Sequence, residues 1–326
     1  MPSGTAALGK APSFGLRCRR LLHREGAAFY GFISLWLFGL FAFQLFPMLS
    51  ALVLSFTNFN GLDLPNTAFV GWANYLEALR SPDARYSLGL TLIYTALAVP
   101  LGLATALALA LLLNVKRRLR GLYRTAFYLP TLVPLAATAL IFKAIYEPNF
   151  GFLNLFLSIF KPGIAYNWLG NHGLYCLVTM QIWTCGTVMV IFLAGLQGIP
   201  EEQVEAARID GANSWQVFKH ITWPLLSPIT YFQLMLGIIN ALQMWVPANI
   251  LSTMNDQNSF WNPKHALYVY PSYALQQMIS SQRFGYAVAL IWLLFILVLV
   301  LTQIVRKTSR FWVHYAVEQE GGARER

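Results

Sequence analysis

Six apolar runs divide the chain, each long enough to cross the ~30 Å of bilayer hydrocarbon as a helix. They fall near 28–54, 88–113, 125–146, 174–197, 225–251 and 284–305. The second, Leu88 to Leu113, carries no charged residue. Only the third carries one internally, Lys143, close enough to its end to snorkel. This pattern predicts an all-α, polytopic membrane protein with six transmembrane helices.

Between the fourth and fifth runs lies the longest polar stretch enclosed by apolar segments. It starts Pro200-Glu-Glu-Gln-Val-Glu205-Ala-Ala-Arg-Ile-Asp-Gly211-Ala and continues to Phe218-Lys-His-Ile221-Thr-Trp-Pro224. It reads as two short helices broken at a glycine. Pro200 is preorganised for a first helical turn, and Glu201 and Glu202 put negative charge where a helix N-terminus favours it. Asp210-Gly211 supplies the stop, because glycine adopts a left-handed conformation at little cost. Asn213 or Ser214 then caps a second helix that is expected to end at Lys219 and His220. Val204 with Ala207, and Trp215 with Phe218, form apolar stripes on the two helices. Such stripes suit a bilayer surface or a docking partner. A capped hairpin is more than is needed to join two spans.

Composition supports the membrane reading. The chain is 57% hydrophobic and 11% charged, with mean hydropathy +0.52, whereas soluble domains carry about a quarter charged residues. The net charge is +10, but the basic residues sit at membrane flanks. They therefore point to topology and lipid headgroups, not to nucleic acid. Lys10, Arg17, Arg19, Arg20 and Arg24 precede the first run, and Lys116, Arg117, Arg118, Arg120 and Arg124 lie between the second and third. Arg306, Lys307, Arg310, Arg324 and Arg326 follow the last run. The opposite loops share only Arg80, Arg85, Lys161, Lys264 and Arg283. This asymmetry places both termini, and the loop at 200–222, in the cytoplasm. The first run is too long for a signal h-region and lacks an obvious cleavage site, so it is expected to be retained.

The expected organisation is a disordered cytoplasmic arm over 1–24, a membrane domain over 25–310 and a cytoplasmic tail over 311–326. The turn-rich loop 57–87 contains Val70–Leu79, which suits a short interfacial helix. Residues 147–173 carry Phe160, Tyr166 and Trp168, as an aromatic interface belt would. The third outer loop, 252–283, is polar at 255–259 and rich in tyrosine. Cys176 and Cys185, nine residues apart along one run, cannot bridge and read as apolar filler.

Several chemistries are missing. The one Gly-Lys pair, Gly9-Lys10, is followed by alanine, so no phosphate-binding P-loop exists and the chain is not expected to hydrolyse ATP. No metalloprotease or nucleophile-elbow pattern occurs, and the five scattered histidines suggest no metal site. Ion-coupled carriers, the alternative reading, usually hold membrane-embedded acids; these runs have none, since Glu147 lies at an outer edge. A solute path must then use uncharged side chains. Met180, Thr184 and Thr187 share one face of the fourth run, and Gly237, Asn240, Ala241 and Met244 share one face of the fifth. Gln243 is adjacent, and Trp183 and Trp245 offer aromatic platforms. Small and hydroxyl residues also serve helix packing in membranes, so the faces admit both readings. Asn240 is the strongest candidate, since a buried amide without a partner is costly.

The loop carries a family resemblance. Glu205-Ala206-Ala207, Gly211 and Ile221-x-x-Pro224 match the signature loop of permease subunits of binding-protein-dependent ABC importers. The flanks, including Arg208-Ile-Asp210-Gly-Ala212 and Pro224-Leu-Leu-Ser-Pro228, resemble the carbohydrate-uptake branch, with permeases for maltose, other oligosaccharides and glycerol 3-phosphate. Asn154-x-x-Leu157, Trp168-Leu-Gly170 and Phe284-Gly-Tyr-Ala-Val-Ala289 extend the likeness over about 28–306. One departure is Trp223, where the family usually has leucine. The resemblance implies a permease fold of the maltose-transporter type and import of a sugar, oligosaccharide or related polyol across the bacterial inner membrane. The implied partners are a second permease, two ATPase subunits and an extracytoplasmic solute-binding protein. ATP and Mg would sit on the ATPase, with no cofactor on this chain. The resemblance further implies that Glu205, Ala206, Ala207, Asp210 and Gly211 couple to the ATPase, and that the two uncharged faces coincide with solute-contacting positions.

Overall fold

The structure, a computed structural model, describes residues 29–115, 118–252 and 265–314. The arm 1–24, the polar run 255–259 and residues 315–326 of the tail lie outside these. The chain divides into two compact units, Met1–Leu54 and Ser55–Arg326. In the first, helix α1 (Phe29–Leu54) contains a wide π turn over Leu40–Leu45. Its most apolar window is wholly unburied within the protein, as suits a helix that is hydrophobic all round and faces lipid.

The second unit opens with α2 (Ala73–Arg80), the short helix expected within 70–79. Helix α3 (Pro82–Asn114) begins six residues earlier than the apolar run indicated. Ser81 accepts a hydrogen bond from the Ala84 amide at 3.3 Å, and Pro82 follows at the first helical position. The Ser-Pro pair that marks a turn thus also starts a helix. The buried stripe of α3 is mostly small, with Ser87, Thr91, Thr95, Ala98, Ala106 and Ala110 beside Tyr94, Val99 and Leu113, so neighbouring helices approach closely along much of it. The Ser87, Thr91 and Thr95 hydroxyls bond back to their own helix carbonyls at 2.8–3.1 Å.

The third run is not one helix. Residues Arg120–Tyr128 form α4, which tightens into a 3-10 turn over Leu129–Leu132. It meets α5 (Leu135–Ile145) at 97°. Pro134 explains the break: it disfavours helical backbone at the preceding residue, and Val133 is extended at φ −73°, ψ 129°. After α6 (Phe152–Ser158), the fourth run is also broken, into α7 (Trp168–Trp183) and α8 (Gly186–Gln197) at 44°. Counting each bent pair once, the described residues hold six spans by length and composition.

Past the polar loop and its α9 (Glu201–Ile209), helix α10 runs unbroken from Ser214 to Leu242. The expected second loop helix therefore does not stop at Lys219 and His220. Both lie in a π turn, Phe218–Thr222, that joins it to the fifth span. Three short residues later α11 (Val246–Ser252) resumes, and α12 (Tyr270–Ile279) and α13 (Phe284–Ser309) complete the unit. Helix α3 packs on α7, α8 and α10, while α13 packs on α2, α10 and α12.

Candidate functional site

Two places gather the residues singled out by the sequence. The first is a cavity of about 640 Å³ among α3, α7, α8, α10 and α11. All seven residues of the two uncharged faces line it: Met180, Thr184, Thr187, Gly237, Asn240, Ala241 and Met244. Among the described residues, its lining includes no charged side chain.

Breaks in three spans meet this cavity. At the α7–α8 junction, Thr184 and Cys185 leave helical geometry (ψ 16° and 0°). The Thr184 hydroxyl donates to the Gln181 carbonyl at 3.1 Å, covering a helix end. Gly186 is required there, since an added Cβ would sit 2.4 Å from the Phe127 carbonyl oxygen. At the end of α10, Gln243, Met244 and Trp245 form the second break and line the cavity. Leu135, opening α5 after the third break, lines it too. Irregular backbone at membrane depth is tolerated where it is buried in protein or borders a water-filled space.

Three further lining residues, Gln181, Gln233 and Tyr94, bring polar groups that the sequence pattern did not single out. Gln181 lies three before Thr184 and six before Thr187, so extending that face backward finds it. Gln233 extends the Gly237–Asn240 face in the same way. The residue is 5% exposed, and its Nε2 has no hydrogen-bond partner among the described residues. Tyr94 comes from α3 and carries no signal in sequence. Trp245 lines the cavity, but Trp183 does not; its ring packs edge-on against Phe142 at 5.5 Å. The aromatic rings on the cavity wall are those of Trp245 and Tyr94.

The second place is the polar loop. Helix α9 starts after Pro200, which is its cap residue (φ −58°, ψ 125°) and not the first helical residue. It closes in a Schellman turn, with the Ala212 N–H on the Ala207 carbonyl at 2.9 Å and the Gly211 N–H on the Arg208 carbonyl at 3.1 Å. Gly211 has φ +86°. Asn213 then caps α10 in a full capping box with Gln216, at 2.9 and 2.7 Å. Glu205, Ala206, Asp210 and Gly211 are exposed, whereas Val204 and Ala207 are half-buried toward the spans. Glu205 also borders a 540 Å³ cleft with Glu201, Arg120 and Arg208. On the outer surface Ile209 and Trp215 stand 86% and 67% exposed. Trp215 stacks on Phe218 with ring centroids 5.6 Å apart.

A multi-span helical unit with an uncharged cavity at its helix breaks, and a capped two-helix loop continuous with one span, is the architecture of a membrane permease. Residues 98–312 match the family described as binding-protein-dependent transport system inner membrane component, and the chain belongs to that family. It is 35% identical to a probable ABC transporter permease protein, YesP, of Bacillus subtilis (strain 168), over 92% of this chain and 96% of that one. It is 32% identical to the arabinooligosaccharides transport system permease protein AraP of the same organism, over 89% and 91%. Its fold matches a chain of the bacterial alginate ABC transporter solved with an alginate pentasaccharide-bound periplasmic protein, with TM-score 0.75 at 20% identity over 89% and 96%. The protein is thus a multi-pass permease subunit of a binding-protein-dependent importer, not a stand-alone ion-coupled carrier.

Proposed function

We propose that this permease imports an uncharged sugar, oligosaccharide or related polyol through the cavity bounded by Thr184, Thr187 and Asn240. The convergence of both predicted faces on one uncharged cavity carries the reading. Hydroxyl-rich solutes suit amide and hydroxyl partners beside an aromatic plane, here Gln181, Gln233, Asn240 and Gln243 with Trp245 and Tyr94. A sequence relative points the same way, toward arabinooligosaccharides.

The remaining parts follow from the loop. Exposed Ile209 and Trp215, with Glu205 nearby, suit a seat for an ATPase on the cytoplasmic side, where the basic asymmetry places both termini. Glu205 supplies a charged contact and Gly211 the turn that aims α10. A second permease, two ATPases holding ATP and Mg, and an extracytoplasmic binding protein complete the importer. ATP-driven closure of the ATPases moves the loops and turns the cavity outward; hydrolysis resets it. Uptake into vesicles holding the whole importer, assayed with neutral and uronic oligosaccharides, tests the reading. Uptake of neutral solutes supports it, and exclusive uptake of uronic ones would overturn the uncharged class.

A further inference from the structure

A row of buried residues runs along α10 from the signature loop to the cavity, Val217, Thr222, Leu226, Thr230 and Gln233, with Ser227 buried at its edge. Their steps are five, four, four and three. At ~100° per residue, a five-residue step in an α-helix would place Val217 about 140° away from Thr222, outside the buried face. The π turn over Phe218–Thr222 removes this mismatch, because a π turn closes on the amide five residues on and so takes up one residue more than an α turn. The Trp223 N–H indeed reaches the Phe218 carbonyl. One extra residue is thereby absorbed, and the helix on both sides keeps a common face toward the core.

The sequence holds a cause for this turn. Pro224 has no N–H, and in a regular α-helix its ring would press on the carbonyl four residues back, at His220. A widened turn ending just before it relieves that clash. The His220 ring fits the loosened geometry, with Nδ1 3.0 Å from the Gln216 carbonyl. One turn further, Pro228 withholds its amide from the Pro224 carbonyl, and the Ser227 hydroxyl donates to it instead at 2.6 Å. Ser227 Oγ accepts in turn from the His314 N–H at 2.9 Å. The residues after α13 therefore brace α10 just beyond the wide turn.

We propose that Pro224 is a positioning residue for coupling. It holds the π turn, and the π turn sets the angle at which α10 presents Ser214 and Trp215, and with them α9, relative to Asn240 at the cavity. Were the turn to relax to α-helix with all residues kept, the loop would rotate by about 100° and shift ~1.5 Å about the same axis. The inference rests on the loop being the ATPase seat.

Deletion of one residue supplies the test. Pro224→Ala frees the turn to relax; deleting exposed Lys219 in that background restores the buried face without a wide turn. Spin labels at Ser214 and Leu299, in a cysteine-free background, report the angle in the purified importer. MgATP hydrolysis in nanodiscs reports coupling. Pro224→Ala should shift the label distance and lower hydrolysis about tenfold or more, a misplacement of ~1 Å being enough for large losses at a positioned site. The combined variant should return both toward wild type. An unshifted distance in Pro224→Ala, or a combined variant no better than the single one, overturns the proposal. A shifted distance with unchanged hydrolysis would instead sink the ATPase-seat reading beneath it.

Discussion

The backbone amide of Ala212 donates to the carbonyl of Ala207 at 2.9 Å, and that bond exists only because the residue between the two helices, Gly211, sits at φ +86°. A Cβ at Gly211 would meet nothing within 4 Å, so the cost of any side chain there is conformational and not steric. It amounts to roughly 1 kcal/mol or more for an L-residue and is largest for a β-branched one. Gly211→Val should therefore leave the spans inserted while misaiming α9 against α10. The expected result is depressed uptake and loss of the ATPase on purification. Gly211→Asn, which tolerates the left-handed region, should be milder. Full transport with a stoichiometric ATPase in Gly211→Val would remove the docking role from this loop.

Glu205 tests the same seat by charge. It is exposed, lies on the helix that Gly211 terminates, and has no structural bond to lose among those described. A charge-assisted contact to a partner contributes about 1.5–3 kcal/mol, so Glu205→Ala should weaken ATPase retention without lowering the subunit's thermal stability. A matching loss of stability would assign Glu205 to the fold.

Asn240 stands exposed on the cavity wall, one turn before α10 breaks at Gln243. Asn240→Ala should lower uptake and raise the ratio of uncoupled to coupled ATP hydrolysis, with the complex still assembled. If uptake is normal in the alanine variant, Asn240 belongs to helix packing.

Much of this was readable in the sequence because membrane helices are written in bulk hydropathy and loop signals in single residues. Asp210-Gly211 and Asn213 marked the helix end and cap where the structure has them. The faces at 180–187 and 237–244 reached the cavity because 3.6-residue periodicity survives a mild break. Continuous runs hid the breaks themselves: Thr184-Cys185 and Gln243-Met244-Trp245 carry no charge and lie inside runs that are apolar overall. Their irregular backbone is stabilised by tertiary contacts, which hydropathy does not encode. Tyr94 was invisible for the same reason, as it joins the cavity only through the packing of α3 on α7 and α10. The π turn resembles a helix end in the sequence because Lys219 and His220 are residue types preferred there, whereas the decisive residue, Pro224, lies four positions beyond His220.

Orientation is open to direct measurement. Basic residues concentrate before α1, between α3 and α4 and after α13, so a reporter active only in the cytoplasm should work when fused after Arg310 or within 114–124. Activity from fusions within 57–87 or 252–283 would invert the model.

Gln233 sets stability against transport. The residue is 5% exposed and its Nε2 is unpaired among the described residues, and a buried donor left in that state costs about 1–3 kcal/mol. Nothing in the packing requires an amide there, since the neighbouring wall is largely apolar at Val99, Leu236 and Gly237. Methionine has a similar length and no donor to bury. Gln233→Met should therefore raise the thermal stability of the purified importer, by removing the unsatisfied group, while lowering uptake, by removing a partner for solute hydroxyls. Gln233→Ala would open space as well as delete the amide, so it should lose uptake without gaining stability. The two readouts move in opposite directions only if the unpaired amide is kept for solute. Unchanged uptake in a stabilised Gln233→Met variant would show that solute passes without touching it.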